Sequence, residues 1–115
     1  MWKQKEISIK NKTRGFHLIT NDIIQSIPDL KNFKLGLLHL FIKHTSASLT
    51  LNENSDQSVR SDFESHFNSM IPEGKEYYSH TYEGEDDMPA HIKTSILGSS
   101  LIIPINNGAI MLGTW

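Results

Sequence analysis

This sequence predicts an α+β fold, with a largely antiparallel sheet packed against two or three helices, and three observations carry that reading. Apolar runs flank Asn106, Asn107 and Gly108, and Asn-Gly between two such runs is the strongest short-range signal for a hairpin. Val59, Phe63, Phe67 and Met70 recur at spacings of four, four and three, which is the apolar stripe of a helix. Adjacent extended segments separate this helix from others, an order that suits α+β packing better than a repeated βαβ unit.

Taken in chain order, Lys5 to Lys10 alternates Ile7 and Ile9 with Glu6, Ser8 and Lys10, the pattern of a half-buried strand. A second extended piece, Thr13 to Ile19, is interrupted by Gly15. Thr20, Asn21 and Asp22 offer helix caps ahead of Ile23, Ile24 and Ile27, and Pro28 closes a short helix. Phe33 to Lys43 is nearly all apolar and reads as a central strand buried on both faces. The stretch HTSASLTLNENSD, residues 44–56, continues as a strand. One of its faces would carry His44, Ser46, Ser48, Thr50 and Asn52, and the other Ala47, Leu49 and Leu51.

Ser55 or Asp56 can cap the long helix, which Pro72, Glu73 and Gly74 terminate. A shorter helix starts near Asp87, with Pro89 in its first turn, Ile92 and Ile96 facing the core, and Gly98 as the stop. The hairpin pairs Leu101 to Ile105 with Ala109 to Leu112, and leaves an uncovered apolar edge near Trp115.

Length and composition set limits on function. At 115 residues with 37% hydrophobic content, the chain makes one domain with a real core, spanning 1–115. A net charge of −2 gives no electrostatic commitment to nucleic acid. Without cysteine there is no disulfide framework and no thiolate site, so His, Asp and Glu are the strong ligands, and a cytoplasmic location is expected. Neither a targeting segment nor an apolar run of membrane-spanning length is visible, so no membrane association is expected.

The chemistry gathers in two blocks. A polar strand face such as His44 to Asn52 is what any solvent-facing strand shows, so His44 needs partners to count. The segment HTYEGEDDMPAH, residues 80–91, supplies them. Asp87 and His91 stand four apart on one helix face, an arrangement that serves as cap and surface pair, or as a carboxylate that fixes the tautomer of a functional histidine. Glu83, Glu85, Asp86 and Asp87 crowd around Gly84; such a turn is ordinarily solvated, but beside His44 and His80 it suits a divalent cation. The spacing matches neither a zincin helix nor an EF-hand. His39 reads as a core or interface residue, His66 as a position on the polar side of the long helix, and His17 as an isolated strand position.

HTSASLTLNENSD at 44–56 and HTYEGEDDMPAHIKTSILGSS at 80–100, followed by INNGAIMLGTW at 105–115, resemble the YjbQ-like proteins, also called the secondary thiamine-phosphate synthase family, over nearly the whole chain. The matching positions are His44, Thr45 and Ser46, then Asn52, Glu53, Asn54 and Asp56, then His80, Glu83, Gly84, Asp86, Asp87 and His91. The resemblance implies an α+β subunit that forms a homotrimer, a divalent metal (zinc or magnesium) held by histidines, and a weak thiamine-phosphate synthase activity. It also implies a further strand beyond the Gly-Thr-Trp motif, carrying glutamine, glycine and an acidic residue.

Two functional readings follow. In the first the protein is a metal-dependent transferase acting on a phosphorylated small-molecule substrate. His44, His80 and His91 hold the metal; His44, His91 and Asp87 do acid/base work; Thr45, Ser46, Ser48, Asn52, Asp56 and Lys93 contact substrate. In the second it is a non-catalytic trimeric protein that binds a metal or a phosphorylated metabolite. A metal-dependent hydrolase is a third, chemically open reading.

Overall fold

β1 (Leu35–Phe41) and β2 (Ser100–Asn106) pair antiparallel in the computed structural model, which describes residues 1–115, and β3 (Ala109–Ile110) folds back to give the order β1-β2-β3. The strand period divides the sheet sharply. Gly36, Leu38 and Leu40 face inward opposite Ile105, Ile103 and Leu101, and Ile103 and Ile105 are buried. Leu35, Leu37, His39 and Phe41 occupy the other face with Ile102, and there the sheet is open to solvent. The expectation of a strand buried on both faces is therefore corrected: within this chain β1 has one covered face, and His39 lies on the bare one.

The hairpin forms where Asn-Gly predicts it. Asn107 and Gly108 have φ of 48° and 75°, the paired positive values of a type I′ turn. Gly108 also packs where a Cβ would stand 2.7 Å from the Lys31 carbonyl oxygen, so the position excludes any side chain. β3 is shorter than the expected Ala109 to Leu112, and Pro104 explains why. Met111 donates to the Pro104 carbonyl, but proline has no N–H with which to return the bond, so the ladder ends at Ile110.

Three α-helices accompany the sheet: α1 (Thr20–Ser26), α2 (Gln57–Met70) and α3 (Asp87–Leu97). Ile19, not one of the three polar residues after it, occupies the N-cap of α1, and a 3-10 turn over Pro28–Asn32 follows it. Asp56 caps α2 by accepting from the Ser58 amide at 2.9 Å. The apolar stripe of α2 receives Phe16, whose ring lies 5.2 Å from Phe63 and 5.7 Å from Phe67. Pro89, fully buried, sits in the first turn of α3, and Gly98 ends the helix.

Lys5–Lys10, Thr13–Ile19 and His44–Asn52, expected as strands, adopt no regular strand. A period-2 pattern marks a segment that could line a sheet, but a strand exists only where a neighbour completes its ladder. Here 44–52 is tied by scattered bonds, among them Leu49 N–H to the Gly98 carbonyl and the Ser48 hydroxyl to the same carbonyl. Its predicted alternation of faces is accordingly absent.

The accessible surface is 8831 Å², whereas a compact monomer of this mass exposes about 6,400 Å². The radius of gyration, 16.4 Å, likewise exceeds the roughly 13 Å of a compact domain this long. Much of the excess is apolar, with Leu35 75% and Leu37 69% exposed. No helix is long and apolar enough to cross a membrane.

Candidate metal centre

The first turn of α3 builds the centre. Gly84, at φ 119°, turns the chain so that Asp87 N–H reaches the Gly84 carbonyl and the helix starts there. One helical turn then sets His91 above Asp87, with the imidazole Nε2 3.0 Å from Asp87 Oδ2. His80, on the preceding loop, brings its own Nε2 to 2.7 Å from the same oxygen. The two rings meet edge to face at 5.2 Å.

The ligand atoms of His80, Asp87 and His91 all lie within 4.8 Å of one another. On a tetrahedral zinc, with bonds of about 2.0–2.2 Å, ligand atoms stand about 3.4 Å apart. Closing that gap asks for small movements, which His80, with a side chain 48% exposed, can make. The residues therefore fit a divalent cation with two imidazoles and one carboxylate.

Proton bookkeeping supports the fit. The Thr45 carbonyl only accepts, so His91 Nδ1, 2.9 Å away, must donate to it. That leaves Nε2 aimed at an ionised carboxylate, which also only accepts. Metal-free, the pair is satisfied when His91 carries both protons; a bound cation would take the place of the Nε2 proton, and the Thr45 carbonyl would be the outer partner that orients the ring. His91 titrates above its ordinary value, chiefly through the Thr45 carbonyl and then through Asp87. Asp87 is held below the usual carboxylate range, first by His80 and then by His91.

Beside the centre lies a cavity of about 460 Å³ lined by His80, Gly74, Lys75, Glu76, Tyr78, Thr81 and Glu85. Its size is that of a small-molecule site. Lys75 and Thr81 were not singled out in the sequence, where a lysine after Pro-Glu-Gly and a threonine after His80 carry no pattern of their own.

Of the expected metal ligands, His80 and His91 come together and His44 is not in the group; Asp87, expected in an acid/base role, supplies the third ligand atom. His44 Nδ1 instead accepts from the Ser46 amide at 3.0 Å, with Ser46 Oγ 3.3 Å from the same nitrogen. The expected substrate contacts are largely engaged within the fold. The Ser48 hydroxyl donates to Gly98, Asn52 accepts from the Glu53 amide, Asp56 caps α2, and Thr45 serves through its carbonyl.

Lys93 donates to Asn68 Oδ1 at 2.7 Å, and burial, then Arg14, pushes its ammonium below the ordinary lysine value. Arg14 in turn bonds Glu73, Glu64 and Asn68. This network, which joins the N-terminal segment to α2 and α3, escaped sequence reasoning because its members are far apart in the chain.

Fold and site together define a class: a small α+β protein with a mixed imidazole and carboxylate centre at the start of a helix. The chain belongs to the YjbQ-like family, since residues 5–115 match the family described as "UPF0047 protein YjbQ-like". It is 51% identical to the UPF0047 protein YjbQ of Escherichia coli O157:H7, over 100% of this chain and 83% of that one.

Among solved structures it is similar to a YjbQ/UPF0047 family protein from Clostridium acetobutylicum, with TM-score 0.73 and 36% identity, covering 84% of this chain and 71% of that one. A conserved hypothetical protein of Thermus thermophilus superposes with TM-score 0.76 at 30% identity, over 88% of this chain and 75% of that one.

Proposed function

We propose that the protein binds a divalent metal through His80, Asp87 and His91 and acts, as a homotrimer, on phosphorylated small molecules in the adjacent cavity. The observation that carries this reading is the convergence of two imidazole Nε2 atoms on one carboxylate oxygen, with the Thr45 carbonyl fixing the tautomer of His91. Two nitrogens and one oxygen suit zinc or a similar borderline ion better than magnesium, which favours oxygen ligands. Three protein ligands leave a position for a substrate oxygen.

When bound, the cation would supply charge neutralisation for a phosphate or diphosphate group. The chain's own residues do the rest. Lys75 and Thr81 offer an ammonium and a hydroxyl to phosphate oxygens, and Tyr78, held by the Pro72 carbonyl, shapes the wall. By resemblance to the family, the reaction is a weak thiamine-phosphate synthesis: a pyrimidine diphosphate is joined to a thiazole phosphate and pyrophosphate is released. The bare sheet face at Leu35, Leu37, Phe41 and Ile102 supports assembly, because copies of the chain would cover it.

A second reading, a metal- or phosphometabolite-binding protein without turnover, is favoured by one specific observation. Ser48, Asn52, Asp56 and Lys93 are engaged in hydrogen bonds within the fold. Measuring metal content after dialysis, and product formation from the two thiamine precursors, tests both. Stoichiometric metal with turnover lost in His80→Ala supports the transferase. Metal retained without turnover above background supports the binding protein, and absence of metal rejects the centre. Light scattering of the purified protein tests the trimer.

A further inference from the structure

The peptide group between Thr45 and Ser46 is hydrogen-bonded at both ends to histidines. Its carbonyl accepts from His91 Nδ1 at 2.9 Å, and its N–H donates to His44 Nδ1 at 3.0 Å. Neither backbone group can exchange its role, so in their neutral forms the two imidazoles are held in opposite tautomers. His91 keeps its proton on Nδ1 and leaves Nε2 for the centre; His44 has its proton on Nε2.

In a trans peptide the C=O and N–H point in opposite directions, so the two rings lie on opposite sides of the group. With standard bond lengths separating the peptide O and N by about 2.3 Å, the relay from ring to ring is on the order of 8 Å long. That length explains why His44 stands outside the ligand group.

We propose that His44 is a positioning residue for the His80, Asp87 and His91 centre: by accepting the Ser46 amide it turns the Thr45 carbonyl onto His91 Nδ1. The inference rests on the reading of that centre as a metal site. The contact reproduces an Asx turn, in which a side-chain acceptor takes the amide two residues on, with an imidazole nitrogen in place of the usual oxygen. It matters here because 44–52 has no ladder to orient its peptides. The two hydrogen bonds also polarise the shared amide in the same sense, so each strengthens the other.

Two substitutions separate this role from a general structural one. His44→Ala removes the acceptor, whereas His44→Asn restores it, since the asparagine side-chain oxygen makes the same turn natively. Zinc affinity is measured by competition with a chromophoric chelator, and the imidazole tautomers by nitrogen-15 NMR on metal-free, histidine-labelled protein at a pH above the raised His91 value, where the ring is neutral. The expected result is a loss of about tenfold in zinc affinity for His44→Ala, the low end of the range for outer partners of a ligand. His91 is then no longer confined to its Nδ1–H tautomer, and His44→Asn recovers both readouts.

Equal zinc affinity in His44→Ala and wild type overturns the proposal, as does His44→Asn behaving like His44→Ala. If wild-type protein takes up no zinc, the metal reading fails on its own. The metal-free NMR comparison then decides the relay: an unchanged His91 spectrum in His44→Ala overturns it, and a changed one supports it.

Discussion

The two histidine-bearing segments, 44–56 and 80–98, are similar in polarity but differ in what holds them. α3 makes its own hydrogen bonds, so a four-residue spacing alone sets Asp87 beneath His91 at 3.0 Å. The segment after His44 has an equally regular pattern, yet forms no strand and is fixed by isolated contacts. A helix carries its geometry within itself, whereas a strand borrows it from a neighbour. In this protein the helix therefore supplies Asp87 and His91 of the candidate centre, the loop before it supplies His80, and the irregular segment supplies the backbone carbonyl that meets His91.

The largest effect should come from striking the helical side. Asp87→Ala removes the oxygen shared by both imidazoles, and zinc affinity should fall beyond the roughly 10–100-fold lost with an outer partner. Asp86→Ala, one residue earlier and without a side-chain cap bond, should leave affinity near wild type. Titration calorimetry on both variants checks this; equal losses would mean that acidity of the turn matters and its geometry does not.

The sheet offers the next test. Ile103→Ala cuts into the covered face and should cost about 2–5 kcal/mol in denaturant unfolding, the range for such truncations in a core. Leu37→Ala, on the bare face, should change the stability of an isolated chain little. A loss comparable to that of Ile103→Ala would show the face to be covered in solution, as assembly requires.

What the sequence made legible follows the same division. The Asp56 cap, the apolar stripe of α2, Pro89, Gly98 and the Asn-Gly hairpin are local signals, and each element they mark is present. Asp87 with His91 was visible from spacing; that His80 would share the same oxygen was not, because a loop set its approach. The strands expected at 5–10 and 44–52 depended on partners that periodicity does not identify. Likewise, the exclusion of His44 from the ligand group turns on the direction of one peptide, which side-chain identity does not encode.

Acidity and alkalinity should act on the metal-free centre from opposite sides. Asp87 has its pKa lowered on folding, so its contribution is present above the ordinary carboxyl range and is lost as pH falls through the folded value. His91 has its pKa raised, so its contribution is complete below about 6.5 and fades as pH rises through the folded value. The pair therefore stabilises the apo protein most between about pH 4 and 6.5. Zinc uptake must displace the His91 proton, so affinity should increase with pH across the raised value. Thermal melts and zinc titrations over pH 4–9 check both, and His91→Asn should flatten the alkaline side of the melts while His80 still holds Asp87 on the acid side.

The smallest effect concerns the far end of the irregular segment. Asp56 accepts the Ser58 amide, and that bond holds its carboxyl below the ordinary value, which is the signature of a helix cap. Asp56→Ala should lower the melting temperature slightly and leave zinc affinity untouched, while Asp56→Ser, also a good cap, should restore the melt. A substrate role predicts the reverse: an unchanged melt with pyrophosphate binding altered, in Asp56→Ser as much as in Asp56→Ala. Since serine keeps the hydrogen bond and discards the charge, this variant separates the two uses of the carboxylate. It also shows whether the function of the segment reaches past Ser46 or ends where the peptide relay does.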